Sequence, residues 1–256
     1  MKKFSAFFLG VVFCFESALE AQGRVRPPIV AMFGDSIMAC AGSYGSGPWG
    51  ITFDSSPAAV VTRRFAEEPE GSYWHNATAI SLAIPGLGTI DWAEGATYTR
   101  SCNMLPKPDD VISLLPGLKV LSRSCASGRG MMRYYRSALP RRARHAIVLL
   151  GPNDPKEKEN GAEETVERLK KIRTYLGRRR VRVLLASPLR VNSVVWPNLQ
   201  GFLDRVSTIM REQGLVSPGL DLNQVEEPTT DGIHLWAVGC EDLGRLFYEA
   251  LKVSHP

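Results

Sequence analysis

The chain has 256 residues, 44% of them apolar and 22% charged, with 23 glycines, 17 prolines and a formal charge of +5. That length suits one large domain with a substantial core, and the ordinary glycine, proline and apolar content excludes disordered and fibrous classes. The positive charge sits in short scattered clusters (Arg141, Arg142 and Arg144; Arg178 to Arg180) with no recognition motif beside them, which argues against nucleic acid as a partner and leaves a mild preference for anionic surfaces or polymers.

In chain order, Lys2 and Lys3 precede an apolar run from Phe4 to Phe15, and small residues follow at Ser17, Ala18 and Ala21. This pattern predicts a secretory signal peptide over residues 1–21, cleaved after Ala21, and a mature domain over residues 22–256 in the periplasm or outside the cell. The run is too short to span a bilayer, so no integral membrane span is expected after cleavage. Bulky Phe13 ahead of Cys14 argues against lipid attachment there. Four cysteines remain in the mature chain: Cys40, Cys102, Cys125 and Cys240. An even number in an exported protein permits two disulfides, and three pairings stay open. Cys102 with Cys125 is the economical pairing; Cys40 with Cys240 is also plausible. No cysteine or histidine pair has ligand spacing, so no metal is expected.

The run Ile29-Val-Ala-Met-Phe33 reads as a buried strand that stops at Gly34-Asp35-Ser36. Ser56 caps a predicted helix over Pro57–Glu68, with proline at its first turn. Tyr73–Ala83 reads as a second strand, ending at Pro85-Gly86-Leu87-Gly88-Thr89. From Trp92 to Gly130 the pattern weakens; short helices are expected near Asp109–Leu115 and Met131–Ala138. His145–Leu150 is a third strand running into Gly151-Pro152-Asn153-Asp154. Glu163–Leu176 has one apolar face and Gly177 as its stop, the mark of an amphipathic helix. Val181–Ala186 is a fourth strand, Pro197–Gln213 a helix, Asp221-Leu222 a short fifth strand, and a helix from about Trp236 to Val253 closes the chain. Strands alternating with helices predict an α/β fold with a parallel sheet covered on both faces.

Read singly, Gly34-Asp35-Ser36 is a turn. Read together, Ser36, Gly86, Asn153 and His234 each lie in a loop, and the first three follow strands whose carboxyl ends converge on one edge of a parallel sheet, where such sheets bind ligands. Asp231 precedes His234 by three residues, close enough for the two side chains to bond. A serine nucleophile needs a base, the base needs an orienting carboxylate, and a developing oxyanion needs donors. Ser36, His234 and Asp231 supply the first three. The amides of Ser36 and Gly86 and the side chain of Asn153 supply the donors.

These blocks, Gly34-Asp35-Ser36-Ile37, Gly151-Pro152-Asn153-Asp154 and Asp231-Gly232-Ile233-His234, resemble the SGNH hydrolases, also called GDSL esterases and lipases, over nearly the whole mature chain. The resemblance implies a flavodoxin-like three-layer α/β/α sandwich with a five-stranded parallel sheet, Ser36 as nucleophile, His234 as base, Asp231 as its orienter and Asn153 as an oxyanion donor. The second block departs from the family's usual Asn-x-Gly-x-x-Gly: here it reads Ser81-Leu-Ala83-Ile-Pro85-Gly86, and Gly86, which keeps the register, is preferred to Gly88 as the oxyanion glycine. Trp49 and Trp92, in the loops after the first two strands, are candidate substrate-groove residues. The expected activity is that of an exported monomeric serine esterase needing no cofactor. Its substrate would be an acyl, preferably acetyl, ester on a carbohydrate or cell-wall polymer. The rivals are a lipid esterase or thioesterase, a polysaccharide O-acetyltransferase, and a binding module that has kept the fold without the chemistry.

Overall fold

The computed structural model of the protein describes residues 26–40, 54–95, 102, 116–139, 141–225 and 231–255. Trp49, the signal segment over residues 1–21 and the helix expected near Asp109–Leu115 lie outside them.

Four strands form one parallel sheet: β1 (Ile29–Gly34), β2 (Thr78–Ser81), β3 (Ala143–Leu149) and β4 (Arg182–Leu185), in the order β2-β1-β3-β4. Every residue of β1 is buried, as a central strand covered on both faces requires. Alternate side chains go to opposite faces. Ile29, Ala31 and Phe33 join Ala146 and Val148 in one apolar cluster; Val30 and Met32 join Ile147 and Leu149 in the other. The first cluster is closed by α3 (Thr89–Ala93), α4 (Pro116–Ser127), α6 (Gly161–Gly177) and α7 (Pro197–Glu212). The second is closed by α2 (Pro57–Ala66) and α8 (Ala237–Ser254), through Val61, Phe65, Leu243, Phe247 and Leu251. The result is a three-layer α/β/α sandwich. The remaining helices are short: α1 (Ser36–Ala39) and α5 (Tyr135–Ala138), the latter preceded by a 3-10 turn at Met131–Arg133.

Three expectations need correction. Among the described residues the sheet has four strands, not five. Where the fifth was expected, Ser217 N–H donates to Leu185 O and Ser187 N–H to Leu220 O, but the Ser217 hydroxyl, not a backbone carbonyl, takes Leu185 N–H. Pro218 and Gly219 turn the backbone between those contacts, and Leu222–Gln224 forms a 3-10 turn, so no ladder develops. The second strand is shorter than the Tyr73–Ala83 run, because Tyr73 to Ala77 folds into successive turns with Asn76 at φ 58°. Helices α3 (Thr89–Ala93) and α4 (Pro116–Ser127) were not among the expected elements. Of the three pairings the sequence leaves open, the structure has Cys102–Cys125 with Cys40–Cys240.

Candidate active site

Glycine at position 34 is dictated by packing: a β carbon there would lie 2.3 Å from Met38 Cβ and 2.9 Å from Leu149 O. The chain can therefore dive from the end of β1 into α1 with Ser36 as the first helical residue. Asp35 caps that turn, its Oδ1 accepting from Ile37 N–H at 2.9 Å. Ser36 is half-buried, at the carboxyl end of the central strand.

His234 comes to it from 198 residues further along the chain, with Nε2 3.0 Å from Ser36 Oγ. The other ring nitrogen, Nδ1, lies 2.8 Å from Asp231 Oδ2. Asp231 Oδ1 also accepts the backbone N–H groups of Ile233 (3.0 Å) and His234 (2.8 Å), which closes the loop on itself. Partial burial is the largest single influence on the Asp231 carboxyl and pushes its pKa up. The bonds from the His234 amide, the His234 ring and the Ile233 amide together outweigh that and hold it down at about 2. Asp231 is thus an anion throughout the neutral range. It fixes the imidazole tautomer: Nδ1–H donates to Asp231, and Nε2 is left to accept from the Ser36 hydroxyl.

The Asp231–His234 loop is held from two sides. Cys240, on α8, is bonded to Cys40, which ends α1, so a covalent tie runs between the helix following His234 and the turn carrying Ser36. On the other flank, the turn after β4 packs against it. Asn192 N–H donates to Gly232 O at 2.8 Å, and Trp196 Nε1–H donates to Asp231 O at 3.0 Å. Asn192 Oδ1 accepts from the amides of Val194 and Val195, and the turn leaves Val194 90% exposed and Trp196 38% exposed beside the Asp231–His234 loop.

Asn153, half-buried in the turn after β3, donates from Nδ2 to Leu87 O at 3.2 Å, so its side chain lies against the residue following Gly86. One amide hydrogen of Asn153 is used there; the second remains to serve another acceptor. Of the two glycines, Gly88 spends its N–H on Asp91 Oδ2 at 3.0 Å, whereas no hydrogen bond engages the Gly86 N–H among the described residues. This leaves Gly86 as the better-placed donor. Trp92 is corrected: its side chain is fully buried and meets Phe33 edge-on at 5.3 Å between ring centroids, so it packs the core and lines no groove. Trp196, which the sequence reading passed over, is the tryptophan against the Asp231 loop.

Two further carboxyls sit behind these loops. Asp35 is fully buried, and burial, with Asp154 nearby, raises its pKa to about 7 against the pull of the Ile37 amide. Asp154 is 4% exposed, and burial raises it to about 6 against the bonds it accepts from Thr89. Each keeps its Oδ2 without a hydrogen-bond partner among the described residues. In the sequence only their places, before Ser36 and after Asn153, mark them out.

No protein-family sequence profile and no curated protein matches the chain. Solved structures do. Est24, a carbohydrate acetylesterase from Sinorhizobium meliloti, matches at 14% identity with a TM-score of 0.54, over 89% of this chain and 99% of that one. A protein described as lipolytic, of the G-D-S-L family, from Desulfitobacterium hafniense DCB-2 matches at 12% identity with a TM-score of 0.51, over 87% and 99%. LAE5, an alpha/beta hydrolase enzyme from the metagenome of Lake Arreo, Spain, matches at 15% identity with a TM-score of 0.50, over 90% and 97%. At such identities the likeness is one of fold, spanning nearly the whole of each chain.

Proposed function

We propose that this chain, which has the SGNH hydrolase fold, is an exported serine esterase that cleaves carboxylic esters through an acyl-Ser36 intermediate. The observation that carries the reading is the unbroken line from Ser36 Oγ through His234 to Asp231, at 3.0 and 2.8 Å, assembled from opposite ends of the polypeptide. Ser36 Oγ attacks the ester carbonyl carbon while its proton passes to His234 Nε2, and Asp231 stabilises the imidazolium so formed. The carbonyl oxygen becomes an oxyanion, received by the amides of Ser36 and Gly86 and by Asn153 Nδ2. The intermediate collapses, the C–O bond to the alcohol breaks, and His234 returns the proton to the departing oxygen. Water then repeats the sequence on the acyl-enzyme, with His234 as its base, and releases the acid and the free serine.

Export is supported by the signal-like segment over residues 1–21 and by two disulfides, which persist in oxidising compartments. An acetyl or other small acyl ester on a carbohydrate or cell-wall polymer is the substrate favoured by that location, and the carbohydrate acetylesterase Est24 has the same fold. A second reading, a lipid ester or thioester, is favoured by the apolar Val194-Val195-Trp196 turn exposed beside Asp231. The test is hydrolysis of p-nitrophenyl esters from acetate to palmitate by wild type and Ser36→Ala. The expected result is a loss of about 10⁴-fold or more in kcat on substitution, with activity highest on acetate. Activity rising with chain length transfers the reading to lipid esters. Acetyl transfer to an added sugar in preference to water transfers it to an O-acetyltransferase. Equal inertness of both proteins would leave a binding module.

A further inference from the structure

The loop that carries Asn153 and the loop that carries Gly86 belong to different strands, β3 and β2, which are not neighbours in the sheet. Something must hold them in register if both are to meet one oxygen atom. The seam between them runs through the residue after Asn153. Asp154 Oδ1 accepts two hydrogen bonds from a single residue of the opposite loop, the N–H and the Oγ1–H of Thr89, both at 2.9 Å. One residue back, Asn153 Nδ2 reaches Leu87 O. Between the two contacts the backbones approach so closely that a β carbon at position 88 would stand 2.7 Å from Asp154 Oδ1 and 3.2 Å from Asn153 O. Glycine there is what permits the seam to close.

Burying a carboxyl with one oxygen unpartnered is unfavourable, and a core apolar residue would fill the space without that cost. The two bonds Asp154 accepts from Thr89 offset that cost and give it a role an apolar residue cannot fill. Thr89 N–H is one of the first amides of α3, which has no intrahelical acceptor. Asp154 satisfies it and, through the shared peptide, fixes the Cα of Asn153.

We propose that Asp154 is the positioning residue of the oxyanion hole: by binding Thr89 twice it sets the distance between the Asn153 side chain and the Gly86 amide. It acts through those donors and does not touch the substrate. The inference rests on the serine-esterase reading above. Donors that stabilise developing charge lose their effect when displaced by about 1 Å, while ground-state binding survives. Releasing the seam therefore lowers kcat and leaves KM nearly unchanged.

The test compares wild type, Asp154→Ala, Asp154→Asn and Thr89→Val for kcat and KM on p-nitrophenyl acetate and for inhibition by phenylboronic acid. The boron of that probe accepts Ser36 Oγ and presents a tetrahedral oxygen to the same donors. Asp154→Ala should lose about 30-fold in kcat with KM within about threefold, and the inhibition constant should weaken by a similar factor. Asp154→Asn keeps an acceptor facing Thr89 and should recover most of both losses. Thr89→Val, which removes the hydroxyl and keeps the amide, should lose about threefold in each. That smaller, matched loss carries the proposal if Asp154→Ala does not fold. A folded Asp154→Ala with wild-type kcat and boronate affinity overturns it. So does a loss confined to KM, or an Asp154→Asn as damaged as the alanine variant. Wild type no faster than Ser36→Ala is a different failure: it removes the esterase reading itself.

Discussion

The two ends of the sheet treat buried charge in opposite ways. At the amino end, Glu68 is 7% exposed and every partner it needs is present: Lys252 Nζ at 2.7 and 2.8 Å from its two oxygens, Tyr248 OH, and Ser72 Oγ at 2.9 Å. Lys252 above all, then Tyr248, pulls its pKa down to about 2. Around it Phe65 stacks on Trp74 at 4.9 Å, and Trp74 Nε1–H donates to His255 O at 3.2 Å. At the carboxyl end, Asp35 and Asp154 are as deeply buried, yet each is satisfied on one oxygen only and each has its pKa pushed upward. The amino end has the pairing of a region that needs only to stay folded. The carboxyl end tolerates incomplete pairing because its carboxyls are placed for the loops they hold.

The largest effect that would break this contrast is at the catalytic-type loop. Asp231→Asn should lower kcat by about 10³-fold or more through the wrong imidazole tautomer, while the melting temperature moves little. A comparable fall in both would make Asp231 a stability residue like Glu68. At the other end, Glu68→Ala should cost about 2 kcal/mol, since it strands Lys252 and the Tyr248 hydroxyl, with kcat unchanged within about twofold. Denaturant unfolding and steady-state kinetics on the same preparation measure both sides.

The smallest effect sharpens the contrast through pH. Asp35 and Asp154 hold protons more tightly folded than unfolded, so their contribution to stability is greatest at low pH and falls away as pH rises from about 4 through 6 to 7. Glu68 and Asp231 run the other way: their contribution is complete above their ordinary values of 4.5 and 3.8 and is lost as pH falls toward 2. Of these four carboxyls, only Asp35 and Asp154 change protonation between pH 5 and 8. Asp35→Asn, which keeps the acceptor for Ile37 N–H, should flatten the decline of melting temperature across that window by a few degrees. An unchanged slope would place the buried proton elsewhere.

How much of this was legible in the residues depends on how local the determining physics is. Strand β1 and the Ala146–Leu149 part of β3 are unbroken apolar runs, and α6 and α7 carry a helical apolar period, so each is written in its own segment. Ser36, Gly86 and Asn153 stand out in the sequence because strand ends gather on one edge, a rule of topology that needs no contact information, and His234 stands out by its spacing from Asp231. Trp92 was misplaced because a tryptophan in a short loop-bounded segment reads alike whether it faces solvent or Phe33. The fifth strand expected at Asp221-Leu222 does not form because Pro218, Gly219 and the Ser217 side chain decide the pairing. The seam at Asp154 was illegible for a different reason. Its partner, Thr89, is 65 residues away, and neither residue is unusual where it stands.

The direction in which the chain enters and leaves the sandwich has a practical consequence. Pro28, whose carbonyl pairs with Thr78 N–H at the start of the sheet, and His255, which packs on Tyr73 and Trp74, both lie at the foot of the strands, opposite Ser36. A protein held to a bead or a polymer through a group attached beside His255 would stand upright on its support, with the Ser36 edge of the sheet turned outward to whatever passes.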